Sequence, residues 1–171
     1  MKLIASFQVD HTKIVPGIFV SRRDRIAGGW ITTFDIRMKR PNVEPAVHPN
    51  AMHTIEHVVA TYLRNSEFKD HVVYWGPMGC LTGCYLLVKT AHEIQPREIA
   101  PLIRRAFRHM ADYEGDVPGA TPVNCGNYLL HDLPTAKWEA ARYVEKLKSG
   151  ARYEYEMARR LDTSGGVFYD S

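Results

Sequence analysis

The sequence predicts an α+β fold: a single domain over residues 1–171 in which an antiparallel sheet packs against separate helices. Three observations carry that expectation. Trp30–Met38 alternates, with Trp30, Phe34, Ile36 and Met38 on one face and Thr33, Asp35 and Arg37 on the other, the period of a half-buried strand. Met52, Ile55, Val59, Tyr62 and Leu63 recur at helical spacing. Strands and helices also follow one another without the regular βαβ alternation of a parallel sheet.

The elements follow in order. Ile14 to Val20 is a weaker strand candidate, and Gly28-Gly29 reads as the turn into the Trp30 strand. Pro41, Pro45 and Pro49 make the next stretch a loop. A helix is expected from Asn50, a good N-cap residue, to about Asn65. Val72–Tyr74 and Tyr85–Val88 are strand candidates, separated by a shaped turn with Gly76, Pro77, Gly79 and Gly83. A second helix carries Ile99, Leu102, Ile103, Ala106, Phe107 and Met110 on one face. Pro96 suits its first turn, and Pro101 predicts either a kink or the true start. Gly115 to Tyr128 reads as a long irregular loop of the kind that carries function. Asp132-Leu133-Pro134 is a cap followed by a proline just inside a third helix, and the tail after about Leu161 is expected to be peripheral.

Composition restricts the function classes. Hydrophobic residues make up 45% and charged residues 24%, as in a folded globular chain. A net charge of +3, from 22 basic and 19 acidic residues, is too weak to argue for nucleic acid or a membrane surface. No stretch approaches the ~20 apolar residues of a membrane span, and the N-terminus lacks the apolar run of a signal peptide. Three cysteines, Cys80, Cys84 and Cys125, do not make a disulfide framework. A cytoplasmic setting with free thiols follows.

The chemical signal is His53-Thr54-Ile55-Glu56-His57. Residues four apart on a helix lie one turn above each other, so both imidazoles can reach one ion. Glu56 lies near the same face and can move a proton without being a ligand. This inverts the H-E-x-x-H order of metallopeptidases. A catalytic ion wants three protein ligands and an open position. Cys125, in its Gly-containing loop, is the best third donor, and a thiolate favours zinc or ferrous iron over magnesium. Three other readings stay open at this level. The five-residue pattern also suits a solvated helix face. Cys80, Cys84 and Cys125 could close a structural zinc site and make the chain a non-catalytic metal-dependent interaction module. A small metallopeptidase could use Glu56 to activate water. Arg104, Arg105 and Arg108 read as a solvated helix side, and Met52, Met78 and Met110 as core.

An ordered set of segments carries a resemblance: Ser6-Phe7-Gln8-Val9-Asp10-His11, Phe34-Asp35-Ile36-Arg37, Arg40-Pro41-Asn42, the His53–His57 motif, Pro77-Met78-Gly79-Cys80-Leu81-Thr82-Gly83, Cys125-Gly126 and Leu130-His131-Asp132-Leu133. In these the chain resembles the S-ribosylhomocysteine lyase family, the autoinducer-2 synthases called LuxS, whose fold is similar to that of inverzincin metallopeptidases. The resemblance implies His53, His57 and Cys125 as ligands of one divalent ion per subunit, ferrous iron by preference, with zinc or cobalt able to replace it. It implies Glu56 and Cys80 as the catalytic acid/base pair, and Ser6, His11 and Arg37 as substrate-binding positions. It also implies a homodimer with its sites at the interface. The reaction implied cleaves S-ribosylhomocysteine to homocysteine and 4,5-dihydroxy-2,3-pentanedione, the autoinducer-2 precursor of quorum sensing, within methyl-group recycling. Carbonyl migration along the sugar precedes β-elimination of the thioether, and a bound cation would stabilise the developing enediolate charge. Tyr74-Trp75-Gly76 stands where many members carry Asp-Ile-Ser, and Cys84 stands where an aromatic residue is common.

Overall fold

A computed structural model describes residues 9–155 in full, together with the backbone of two short paired strands, β5 (Arg160–Leu161) and β6 (Val167–Phe168). The expectation for the tail beyond residue 161 falls largely outside the described residues. The α+β architecture is as expected. Strands β1 (Gly17–Ile26), β2 (Gly29–Arg37), β3 (Val72–Pro77) and β4 (Gly83–Thr90) form one antiparallel sheet in the order β1-β2-β4-β3. Helices α1 (Pro49–Arg64), α2 (Pro96–Asp112) and α3 (Leu133–Lys148) pack against it.

The register explains the layers. Ile36 faces Ile18 on one side and Cys84 on the other, and Phe34 faces Leu86. Side chains alternate across a strand, so these residues share the face that meets Ile55, Val59, Ile103 and Phe107 of the helices. Phe107 packs edge-on against both Trp75 and Tyr143, joining the sheet, α2 and α3. Met52, Met78 and Met110 are all buried, as core methionines.

The opposite face of the sheet differs from the half-buried strand read from the alternation. Asp35 and Arg37 are 2% and 3% exposed, so both faces of β2 are covered. The cover comes from the far end of the chain. Residues 151–155 run alongside β1, where Ile18 N–H bonds Arg152 O at 3.0 Å and Gly17 pairs with Arg152. Tyr155 then stacks on Phe19 at 4.5 Å and donates to Asp35 Oδ2 at 2.6 Å.

Some boundaries differ from expectation, and the open choice at α2 is settled. β1 begins at Gly17 and runs on through the polar stretch to Ile26, because an edge strand exposes side chains that a hydrophobic pattern does not register. Helix α1 is capped by His48, whose ring accepts from Asn50 N–H at 3.4 Å, with Pro49 at the first helical position. Helix α2 starts at Pro96 with a Gln95/Glu98 capping box and carries Pro101 inside it, so Pro101 is not the start. Helix α3 follows expectation: Asp132 accepts from Thr135 N–H at 3.0 Å, with a proline in the first turn.

Candidate metal centre and active site

His53 and His57 project from α1 towards the irregular segment between α2 and α3, which carries Cys125. Donor atoms of His53, His57, Cys125 and a further histidine, His131, lie within 4.8 Å of one another, all half-buried. Carbonyl oxygens fix the rings of the first two. His53 Nδ1 lies 2.8 Å from Leu130 O, and His57 Nδ1 lies 2.7 Å from Pro118 O. A carbonyl can only accept, so each Nδ1 carries the hydrogen and each neutral ring leaves a lone pair on Nε2. Metal-ligating histidines are held in this way by their other ring nitrogen. The rings stand nearly perpendicular, at 89° with centroids 4.6 Å apart. Gly119, at φ +70°, brings the backbone of the loop against the His57 ring, where a left-handed conformation favours glycine.

Cys125 Sγ is 3.5 Å from His53 Nε2 and receives the Asn127 N–H at 3.4 Å. Two imidazole nitrogens and one sulfur make a donor set that suits a borderline divalent cation such as ferrous iron, cobalt or zinc. Glu56 is half-buried on the same helix, and its carboxylate forms no hydrogen bond or ion pair among the described residues. The sequence motif did not single out His131. Its signal was the position six residues after Cys125, in the Leu130-His131-Asp132-Leu133 segment that carries part of the family resemblance.

Cys80 and Arg37 form a second group. The Arg37 guanidinium holds Asp35 through two bonds, Nε to Oδ1 at 3.0 Å and Nη2 to Oδ2 at 2.5 Å. Its Nη1 donates to Thr82 Oγ1 at 2.6 Å and reaches Cys80 Sγ at 3.9 Å. The alternation places Asp35 and Arg37 on the solvent side of a half-buried strand; they instead form a buried pair, and the guanidinium extends beyond it to the thiol. Partial burial opposes the Cys80 thiolate, but the Thr82 hydroxyl at 3.1 Å, the Thr82 backbone and the Arg37 charge outweigh it, so the thiol lies below its ordinary range. Leu81, next to Cys80, has φ +56°, an uncommon left-handed conformation for leucine within the turn that presents the thiol.

His11, Arg37, Asp35, Tyr85 and Tyr155 line one narrow cleft beside this group, with His11 Nδ1 2.9 Å from Val9 O. Ser6 lies outside the described residues. Cys84 is fully buried under α1, with Sγ 3.5 Å from Met52 Sδ, and burial first, then the Glu56 and Asp35 charges, push its thiol well up. The closed Cys80/Cys84/Cys125 arrangement therefore does not form: Cys84 is in the core, and Cys125 joins histidines instead. The arginines of α2 are structural or solvated, with Arg104 bonded to Leu147 O and Tyr153 Oη and Arg105 paired with Glu67.

The sequence matches the family described as S-ribosylhomocysteinase (LuxS) over residues 4–154. It is 57% identical over 148 residues to the S-ribosylhomocysteine lyase of Phocaeicola vulgatus, covering 86% of this chain and 91% of that protein. The proteins of the same name from Porphyromonas gingivalis and Clostridium beijerinckii are 51% and 45% identical, over 90% and 86% of this chain and 96% and 92% of theirs. The chain, which carries the inverted histidine motif on α1 with Cys125 beside it, belongs to the LuxS family of S-ribosylhomocysteinases.

Proposed function

We propose that this enzyme cleaves S-ribosylhomocysteine to homocysteine and 4,5-dihydroxy-2,3-pentanedione, with one divalent cation per subunit held by His53, His57 and Cys125. The observation that carries the reading is the convergence of these donors within 4.8 Å, on rings whose Nδ1 atoms are already committed to carbonyls. A cation there supplies Lewis acidity towards the sugar oxygens. The donor set of two imidazole nitrogens and a thiolate, together with the family, favours ferrous iron, with zinc or cobalt as substitutes.

The chain's own residues supply proton transfer and positioning. Cys80, as a thiolate supported by Thr82 and Arg37, takes a proton from sugar carbon next to a carbonyl and returns it to the neighbouring carbon, which moves the carbonyl along the chain. Glu56 acts as the second base and acid, including the deprotonation that drives β-elimination. In that step the carbon–sulfur bond breaks, its electron pair leaves with sulfur, and homocysteine departs as the thiol after protonation. Proton uptake and release balance, so no hydride acceptor is required. Arg37 and His11, on the cleft beside Cys80, bind polar groups of the substrate, and Ser6 joins them.

The cation cluster and the Cys80–Arg37 group share no hydrogen bond or ion pair among the described residues. The family supports a homodimer in which each site is completed across a two-fold interface. The enzyme acts in the cytoplasm, where thiols such as Cys80 and Cys125 stay reduced. No helix among the described residues is long and apolar enough to cross a membrane. Incubating the metal-loaded protein with S-ribosylhomocysteine and titrating free thiol tests the activity. Stoichiometric homocysteine release is expected, and no thiol above a metal-stripped control would refute it.

A further inference from the structure

Three imidazoles, not two, face the metal cluster. The His131 ring lies on the His53 ring with centroids 4.2 Å apart and planes 15° from parallel, and meets His57 at 4.9 Å and 74°. Its two nitrogens have different surroundings. Nδ1 is 3.2 Å from Thr54 Oγ1. That hydroxyl has one hydrogen, which goes to Asn50 O at 3.0 Å, and it accepts from Asp132 N–H at 2.9 Å. The remaining bond must therefore be donated by His131 Nδ1, leaving Nε2 with a lone pair. Nε2 is buried and has no hydrogen-bond partner among the described residues.

An orphaned lone pair beside three donor atoms invites a reading as a fourth ligand, but the stacking opposes it. An imidazole binds a cation along its in-plane lone pair, and two nearly parallel stacked rings cannot both aim that lone pair at one point. Both rings meet His57 edge-on, but His53 Nε2 is the one that lies 3.5 Å from Cys125 Sγ. The contacts of His131 point elsewhere. Leu130 O holds His53, His131 covers the His53 ring, and both His131 and Asp132 bond Thr54, the residue next to His53. One three-residue segment thus grips two consecutive residues of α1, five to seven positions after Cys125 in the same loop.

We propose that His131 is a positioning residue of the metal centre, one that fixes the His53 ring and fastens the Cys125 loop to α1, while its Nε2 stays outside the ligand set. The inference rests on the metal-site reading above. Outer partners of ligating histidines typically contribute about 10–100-fold in metal affinity, and the same range is expected here.

Two variants separate the parts of this role. His131→Asn keeps a donor near the Nδ1 position but loses the stacked ring, whereas His131→Phe keeps a flat ring but loses both the bond to Thr54 and the lone pair. Cobalt(II) is the probe. Its visible absorption reports affinity, and proton NMR counts the strongly shifted exchangeable N–H signals of ligated imidazoles. The wild-type protein should show two such signals. Both variants should still bind one cobalt per chain, with a dissociation constant raised about 10–100-fold and a displaced visible band. Three shifted N–H signals in the wild type would make His131 a ligand and overturn the proposal. So would affinities within about threefold of wild type in both variants, a margin well below the outer-partner range. Absence of any shifted imidazole signal in cobalt-treated wild type would instead overturn the underlying metal site.

Discussion

Replacing Arg37 by methionine is expected to damage stability and thiol chemistry together, while leaving the cation cluster intact. Asp35 and Arg37 side chains are 2% and 4% exposed, and the guanidinium supplies both bidentate bonds to the carboxylate. Methionine fills similar volume but leaves the Asp35 charge with only the Tyr155 hydroxyl as a side-chain donor among the described residues. Removing one partner of a buried ion pair costs about 3–5 kcal/mol. For a chain of this length 1 kcal/mol moves the melting temperature by about 2–4 °C, so Arg37→Met should melt roughly 6–20 °C lower. The double variant Asp35→Leu/Arg37→Met removes both charges, and should recover much of that loss even though the Tyr155 phenol then lacks its acceptor, at about 1–3 kcal/mol. Both variants lose the positive charge near Cys80, so the midpoint of iodoacetamide alkylation at Cys80 should move to higher pH. Thermal unfolding of the metal-loaded proteins, bound-metal analysis and alkylation rates between pH 6 and 10, a range chosen to bracket a free thiol of pKa about 8.5, make the comparison. A single variant as stable as wild type, or a double variant less stable than the single, would refute the account of a buried pair.

Other predictions are independent of that one. Dialysed His57→Ala and Cys125→Ala should each retain far less than stoichiometric metal, and full retention in both would remove them from the ligand set. At pH 8 alkylation should label Cys80 and spare native Cys84, and Cys80→Ala should keep fold and metal but lose turnover, whereas Cys84→Ala keeps most activity. Thr82→Val should raise the alkylation midpoint of Cys80. A lowered native pKa means that this thiolate adds stability at pH above the unfolded thiol's pKa, a contribution lost as pH falls through the native one, and the valine variant should show less of that dependence. Heterodimers of His11→Ala and Glu56→Gln should recover activity that neither homodimer has; verified heterodimers without activity would count against shared sites.

Much of the frame was legible because its signals are local. The stripe on α1 and the Asp132 cap of α3 each depend on residues close to one another along the chain. The inverted histidine motif was legible for the same reason: residues four apart on a helix meet. What escaped was non-local. Arg37 reads as an exposed strand residue until Tyr155, 120 positions from Asp35, covers that face. The support of the Cys80 thiolate comes partly from Arg37, 43 positions away. His131 escaped because its role depends on stacking against a ring 78 positions earlier in the chain, a relation with no periodicity to detect. The polar half of β1 escaped for a different reason, since an edge strand takes its pairing from the backbone and needs no apolar alternation.

The pairing of β1 with β2 also bears on which changes of length the site can absorb. β2 is committed on both faces: Phe34 and Ile36 enter the helical core, while Asp35 and Arg37 serve the cleft. Inserting one residue between Gly29 and Phe34 would slip the register and exchange these sets, placing charges in the core and isoleucine beside Cys80. β1 already carries an irregularity between Val20 and Arg22, where one residue has no partner. A bulge of this kind is where a strand takes up or gives away a residue without turning its neighbours over. Length variation should therefore collect in β1 and in the loops, and β2 should keep its nine residues wherever the chemistry is kept.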